Sequence, residues 1–259
     1  MADQRSSLPK PGALGGTFLW AGIINGPVRS RRLGVSLGLN ILPPRSKLCT
    51  FHCPYCECGF STPKAEGTRW PSPDIVADAL AKTLAALEEA PDWITFAGNG
   101  EPTLHPRFPA VVDRVLAVRD ERSPAAKVGI LSNGLSAGKP AIRDALNRLD
   151  GRVMKLDPGP PELVNGVPCD RDALVEGYAH LKDVTIEAMV VEGPGWSGAS
   201  DDAIEAWLDL LRRLKPAAVQ IYSVDRQPAD PSVKRVARDR LERIADRARR
   251  AIHGSVEVF

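Results

Sequence analysis

The feature that most limits how this chain can fold is a repeated change of hydrophobic period. Short runs rich in β-branched residues alternate with amphipathic stretches at helical spacing, which predicts βα units on a parallel sheet. The strand-like runs are Val35 to Leu42, Trp93 to Ala97, Val128 to Leu131, Val153 to Leu156, Val184 to Val191 and Val219 to Val224. Helical spacing covers Ile75 to Leu87, Phe108 to Arg119, Pro140 to Leu149, Asp172 to Leu181 and Asp201 to Leu214. The first helix opens with Ser72-Pro73-Asp74, a serine cap followed by proline in the first turn, where its missing N–H is not needed. Six βα units predict an α/β fold, a partial (β/α)6 TIM-type barrel rather than a closed eight-stranded one. A last amphipathic helix, about Ser232 to Ile252, and a short terminal strand, Ser255 to Phe259, are expected to cover the open edge. With 259 residues, one domain over 26–259 is expected, its core at about 35–225, preceded by a flexible leader or arm over 1–25.

Barrels of this kind gather their functional groups at the C-terminal ends of the strands, and the polar motifs of this chain fall there. After the first strand comes Cys49-Thr50-Phe51-His52-Cys53-Pro54-Tyr55-Cys56. Three thiolates are one short of what a [4Fe–4S] cluster needs, so one iron would stay open for chemistry. Cys58 follows closely, and Cys49, Cys53, Cys56 and Cys58 also admit a zinc site in a binding module for RNA or protein. Closed zinc sites usually pair two well-separated knuckles, which disfavours that alternative. Glu187 shares a strand face with Thr185 and Met189. A carboxylate inside a barrel is costly unless paired, so a ligand or Lys155 is its expected partner, an outward solvated position being the alternative.

The CxxxCxxC spacing with an aromatic residue, Tyr55, before its last cysteine resembles the cluster loop of the radical S-adenosylmethionine enzymes. The resemblance implies that Cys49, Cys53 and Cys56 hold a [4Fe–4S] cluster whose open iron chelates S-adenosylmethionine. Reductive cleavage then yields a 5′-deoxyadenosyl radical that abstracts hydrogen from a substrate. Gly98-Asn99-Gly100-Glu101-Pro102 is similar to the Gly-Gly-Glu-Pro motif that meets the amino group of the cofactor, with Asn99 departing from the commonest glycine. Read without the family, Asn99-Gly100 is also a common turn former. Ser132-Asn133-Gly134 and Lys155-Leu156-Asp157 end the third and fourth strands, and the resemblance implies contacts from Ser132, Asn133, Lys155 and Asp157 to the carboxylate or ribose. Glu187 and Ile221 complete the expected cofactor set, Ile221 or its backbone against adenine. Ser, Asn and Asp at strand ends equally serve as local caps.

A narrower similarity covers Gly26 to Gly38, the cysteine loop, Lys155 to Asp157 and Gln220 to Pro228. Those segments look like a group of small proteins related to the wybutosine-synthesis radical enzymes of tRNA. The substrate is then a small molecule, a peptide or RNA, with a flavodoxin or ferredoxin as electron donor. Arg29, Arg31, Arg32, Arg45 and Lys47 suit an anionic substrate group or a salt-bridged segment. The arginine-rich helix near the C-terminus suits RNA phosphates or a plain wet face, and a formal charge of only +2 does not favour nucleic acid.

Cys169 and His105 are candidates for catalysis beyond cofactor cleavage, as a hydrogen-donating or ligating thiol and as a general acid or base. Ordinary packing and a structural hydrogen bond are the competing readings. The stretches Glu57 to Trp70 and Glu192 to Ala199 are candidate lids. Five cysteines, three of them clustered, suggest a reducing compartment, with cytoplasm as the expectation. Phe18 to Ile24 falls far below the ~18 apolar residues of a membrane span and is expected to be a strand or packed arm, so no membrane association is predicted.

Overall fold

Along Gly34–Leu39 and Trp93–Phe96, Leu37, Leu39, Ile94 and Phe96 alternate with Ser36, Gly38, Trp93 and Thr95. The first set is completely buried and packs with Val76, Leu80, Phe108 and Val111 of the covering helices. Alternation at period two therefore puts the second set on the opposite, concave face. The same parity places Lys155, Glu187 and Tyr222 on that face, because Met154, Ile186, Ala188 and Ile221 point into the helix-side core. The strands thus assign apolar mass to the outside of the curved sheet and chemistry to the inside.

The computed structural model describes residues 19–44, 46–61 and 69–259. Its elements are β1 (Ile24–Ser30), β2 (Gly34–Leu39), α1 (Pro73–Ala86), β3 (Trp93–Phe96), α2 (Phe108–Arg122), β4 (Lys127–Ser132), α3 (Pro140–Leu146), β5 (Gly151–Lys155), α4 (Pro161–Val164), α5 (Arg171–Ala179), β6 (Val184–Met189), β7 (Val191–Gly193), β8 (Trp196–Ser197), α6 (Asp201–Leu214), β9 (Ala218–Tyr222), β10 (Lys234–Arg235), α7 (Arg238–Ala251) and β11 (Ser255–Val258). The main sheet has the order β1-β2-β3-β4-β5-β6-β9-β11. All neighbours are parallel except β1, which is antiparallel to β2. The sheet has two ends, so the expected partial barrel of six βα strands is what forms, with β11 extending it at β9. No helix among the described residues is long and apolar enough to cross a membrane.

Several local expectations change. Residues 24–30 form a strand, β1, that is not among the six expected strands. Glu192 to Ala199, expected as a lid loop, contains the β7–β8 hairpin, which pairs with β10 in a second, three-stranded sheet. That pairing takes Lys234 and Arg235 into a strand, so α7 starts at Arg238 rather than near Ser232. The other lid candidate, Glu57 to Trp70, falls partly outside the described residues, as do Arg45 and the leader through Phe18.

At α1 the serine cap operates as expected: the Ser72 hydroxyl accepts from the Ile75 amide at 3.2 Å. On α6, Ile204, Trp207, Leu208 and Leu211 form the buried stripe. Trp207 is completely buried, and its indole N–H donates to the Leu156 carbonyl at 2.8 Å, at the point where β5 runs out into Asp157. Replacing Trp207 with Ala is expected to lower unfolding stability by about 3–5 kcal/mol, the range for removing a large aromatic from a core. Urea unfolding followed by circular dichroism checks this, and a loss within error of zero would refute the assignment of Trp207 to the core.

Candidate active site

The cysteine loop is tied to three strand ends. The Leu48 amide donates to Asn99 O at 2.9 Å and the Glu101 amide donates to Leu48 O at 2.8 Å, a parallel bridge between Leu48 and Gly100. Gly100 has φ +128°, and a Cβ there would lie 1.8 Å from the Leu48 carbonyl oxygen. Only glycine lets the two backbones meet. On the other side, the His52 amide donates to Asn165 O at 2.8 Å, and a Cβ on Gly166 (φ +70°) would lie 2.3 Å from His52 O. The Asp230 amide, after β9, donates to Pro54 O at 2.8 Å. Phe51, Cys53, Tyr55, Val164, Met189, Val191 and Val233 form a separate apolar cluster over the mouth of the barrel.

Within this loop the sulfurs sit among hydrogen-bond donors. Cys49 Sγ accepts from the Phe51 amide at 3.4 Å and from Asn133 Nδ2 at 3.6 Å, and Asn165 Nδ2 lies 4.0 Å from Cys53 Sγ. Burial pushes the free Cys49 thiol up to about 12, helped by the Glu101 carboxylate, and the Cys53 thiol up to about 11. Cys56 is held below the usual thiol range by a hydrogen bond with Cys58 and by the Lys47 ammonium. Lys47 is buried, donates to Gly59 O at 2.6 Å, and stands in the field of Cys56, Cys49 and Cys53. Soft thiols flanked by N–H donors and an ammonium match the donor set and surroundings of an iron–sulfur group. Among the described residues, no three His, Cys, Asp or Glu side chains converge closely enough to share one metal ion.

Beside the loop, at the ends of β5, β6 and β9, two cations and two carboxylates interlock. Lys155 Nζ is 3.4 Å from Asp157 Oδ1 and 3.8 Å from Glu187 Oε2, with the Tyr55 and Tyr222 rings at 5.1 and 5.8 Å. Arg32, from the β1–β2 turn, ion-pairs with the other oxygen of Glu187, reaches Gln220 Oε1 at 3.4 Å and lies 5.1 Å over Tyr222. Asp157 accepts from the Tyr55 hydroxyl, from Asn165 Nδ2 at 2.8 Å and from the Met189 amide at 2.8 Å. Burial works against both Lys155 and Glu187 as ions. The carboxylates and Tyr222 nonetheless raise Lys155 well above its usual range, and Lys155 with Arg32 lowers Glu187. Glu187 therefore faces inward with Lys155 as a partner, and the second cation is Arg32, in the salt-bridged arrangement that is one of its two expected roles. Arg31 is likewise paired, with Asp225.

The β3 loop is braced rather than free. Glu101 is buried and both its oxygens are used, Oε1 by the Thr103 amide (3.0 Å), Thr103 Oγ1 (2.7 Å) and Ser132 Oγ (2.8 Å), Oε2 by the Asn133 amide (2.7 Å). Asn133 Nδ2 also donates to Thr50 Oγ1 at 2.8 Å, which ties β4 to the cysteine loop. The Asn99 side chain turns to Trp20 and Pro43, and the Gly98 carbonyl lies 3.6 Å from Cys58 Sγ.

At three candidates the geometry separates the alternative roles. Ile221 is completely buried on the helix-side face of β9, so its side chain does not reach the mouth, where its neighbour Tyr222 stands. His105 accepts from the Arg107 amide on Nδ1 at 3.1 Å and lies 2.9 Å from Pro71 O through Nε2, which leaves neither nitrogen for proton transfer. Cys169 packs between the main core and the mouth cluster, and burial raises its thiol, the opposite of what a reactive cysteine needs. Asn165 and Tyr178 went unnoticed in the sequence. The Tyr178 hydroxyl lies 3.0 Å from Asn133 O and 2.8 Å from Lys155 O, and so joins the ends of β4 and β5. Their only signals were an Asn-Gly pair and a helical tyrosine.

A family model described as the Radical SAM superfamily matches residues 44–211. A UPF0026 protein of Helicobacter pylori is 28% identical over 225 residues, which cover 85% of this chain and 71% of that one. UPF0026 protein MJ1312 of Methanocaldococcus jannaschii is 27% identical over 221 residues, covering 81% and 65%. Among solved structures, Streptococcus suis SuiB bound to S-adenosylmethionine superposes with a TM-score of 0.59 at 15% identity, over 84% of this chain and 49% of the SuiB chain. That likeness is one of fold, and the chain spans about half the length of SuiB.

Because Gly100 admits the Leu48 carbonyl that immediately precedes Cys49, Gly100→Ala is expected to push the cysteine loop out of place without unfolding the barrel. Anaerobic reconstitution followed by iron and sulfide analysis should find well under half the wild-type loading, at unchanged circular dichroism. Full loading would show that the close approach is dispensable.

Proposed function

We propose, on the premise that this chain belongs to the Radical SAM superfamily and is one of its enzymes, that Cys49, Cys53 and Cys56 hold the [4Fe–4S] cluster and that the barrel mouth holds S-adenosylmethionine beside it. The observation that carries this reading is that a loop with three cysteines is fastened to the C-terminal ends of β3, β5 and β9, over a concave face whose charged groups converge on the same spot. When bound, the pair supplies a one-electron cleavage of the sulfonium that yields methionine and a 5′-deoxyadenosyl radical, which takes hydrogen from a substrate.

This chain's own residues bind, orient and exclude. Lys155 makes only long contacts with its two carboxylates, so its ammonium retains donors for the carboxylate of the ligand. Asp157 and Glu187 hold that ammonium at the mouth, and Tyr55 walls it from the cluster side. The Gly98-Asn99-Gly100-Glu101 turn presents backbone to the amino group, while Glu101, Ser132 and Asn133 hold the turn in register with β4. The apolar cluster from Phe51 to Val233 keeps water from the thiolates. Residues 26–259 serve as one domain, in a reducing, cytoplasmic setting with a flavodoxin- or ferredoxin-class donor.

For the substrate, the similarity of Gly26 to Gly38 and Gln220 to Pro228 to the wybutosine-related group supports a tRNA nucleoside. The α7 arginines lend it little, since Arg238, Arg240, Arg243, Arg247 and Arg249 are paired with Glu242, Asp201, Asp239, Glu205 and Asp246. A peptide is the second reading, supported by the fold likeness to SuiB, a structure of which holds its precursor peptide.

Anaerobically reconstituted protein is expected to be brown, with about four irons and four sulfides per chain, and to form 5′-deoxyadenosine and methionine once reduced. Cys49→Ser, Cys53→Ser and Cys56→Ser should each abolish both. A colourless protein with one zinc would sink the assignment. For the RNA reading, tRNA binding should weaken steeply between 50 and 200 mM salt, by roughly 10³-fold or more if six phosphates are contacted; a flat dependence would turn the search to peptides.

A further inference from the structure

The departure at Asn99 has a structural reason. Ile24 pairs with Leu39, so the residues before β1 continue past the C-terminal end of β2 toward the barrel mouth. There the arm is fastened twice. The Asn40 amide donates to Ile23 O at 2.7 Å, and Asn99 grips both main-chain groups of Trp20, its Oδ1 accepting from the Trp20 amide at 2.8 Å and its Nδ2 donating to Trp20 O at 2.9 Å. Asn99 is completely buried, and Asn40 Oδ1 in turn accepts from the Asn99 amide at 3.2 Å. A glycine at 99 would supply neither side-chain bond.

The indole held in this way is half-buried against the concave face of β2. A Cβ on Gly38 would come within 2.4 and 2.6 Å of two ring atoms of Trp20. Gly38 is the register partner of Thr95, on the face turned away from the helices. A second indole, Trp93, lies on the same face against Gly129 and Gly151, at the N-terminal end of the strands. Trp93 therefore forms a floor, and Trp20 stands higher, beside the Gly98-Asn99-Gly100-Glu101 turn.

We propose that Trp20, positioned by Asn99, is the wall of the reaction chamber on the flank where the sheet does not close, and that asparagine replaces glycine at 99 to hold it there. The inference rests on the assignment of the barrel mouth made above. A carbon-centred radical reacts with most C–H bonds it meets, so an open flank must be covered by a group that fills space and excludes small solutes. An indole presents a large rigid face for this. Trp20 is the covering surface and Asn99 the positioning residue.

The test uses full-length, cluster-loaded protein and two readouts. The first is amide exchange of the arm by mass spectrometry, which reports docking whether or not a cluster is bound. The second is the rate at which the cluster absorbance bleaches in air-saturated buffer, which reports access to the chamber. Asn99→Gly and Gly38→Ala should each speed exchange at Trp20 roughly tenfold, the effect of losing one or two hydrogen bonds or the seat of the ring. Both should also bleach several-fold faster at wild-type iron content. Trp20→Ala should bleach equally fast, while Trp20→Phe, which keeps a flat ring, should restore slow bleaching. Unchanged exchange in Asn99→Gly would overturn the positioning role. Faster exchange with unchanged bleaching in all variants, or Phe behaving as Ala, would overturn the wall. A protein that never takes up iron would instead refute the cluster assignment, with the arm still readable by exchange.

Discussion

The arrangement depends on one close approach, the meeting of the Leu48 carbonyl with the backbone of Gly100. Without it the cysteine loop would lose its main-chain tie to the Gly98 turn and keep only its anchors at Asn133, Asn165 and Asp230. Glycine makes the approach possible, and two main-chain hydrogen bonds make it specific. Glu101 then carries the alignment onward, because a buried carboxylate with four donors can sit in only one place. Ser132 and Asn133 are among those donors, and Asn133 reaches back to Thr50 and Cys49. The ends of β2, β3 and β4 form one continuous polar frame.

The opposite half of the mouth is organised by charge. Arg32, Glu187, Lys155 and Asp157 balance in pairs, which is what permits four ionised groups in a largely dry interior. Arg32 arrives from the β1–β2 turn, so the antiparallel strand at the edge of the sheet contributes to the site as well as to the fold. Of the two readings of the arginine segment, Arg31 and Arg32 follow the salt-bridged one, since each already has its carboxylate.

Much of this was legible because it repeats. The six βα strands follow from hydrophobic period alone, and α6 begins and ends at the residues its spacing indicates. The cysteine loop and Gly100 stand out because their chemistry is rare. What stayed hidden depends on contacts between residues far apart in sequence. Asn165 meets Asp157 and Cys53 only once the barrel is formed, Tyr178 is an ordinary helical residue until its hydroxyl reaches two strand ends, and β10 exists only because β7 offers an edge. At Ile221 the side chain belongs to the helix-side core, which leaves only its backbone facing the strand end, a distinction that rests on sheet parity. At His105 a structural hydrogen bond was one of the readings, but its partners, Pro71 and Arg107, could not be seen.

Asp157 offers a last consequence. Its oxygens accept from a phenol, an amide side chain, a main-chain N–H and an ammonium at the same time, and its neighbours are fixed by Tyr178 and Trp207 through the carbonyls of Lys155 and Leu156. Dipoles so thoroughly committed have little room to swing when a negative charge arrives nearby. Held by four donors at once, Asp157 is a fixed point from which the ends of β5 and β6 take their positions.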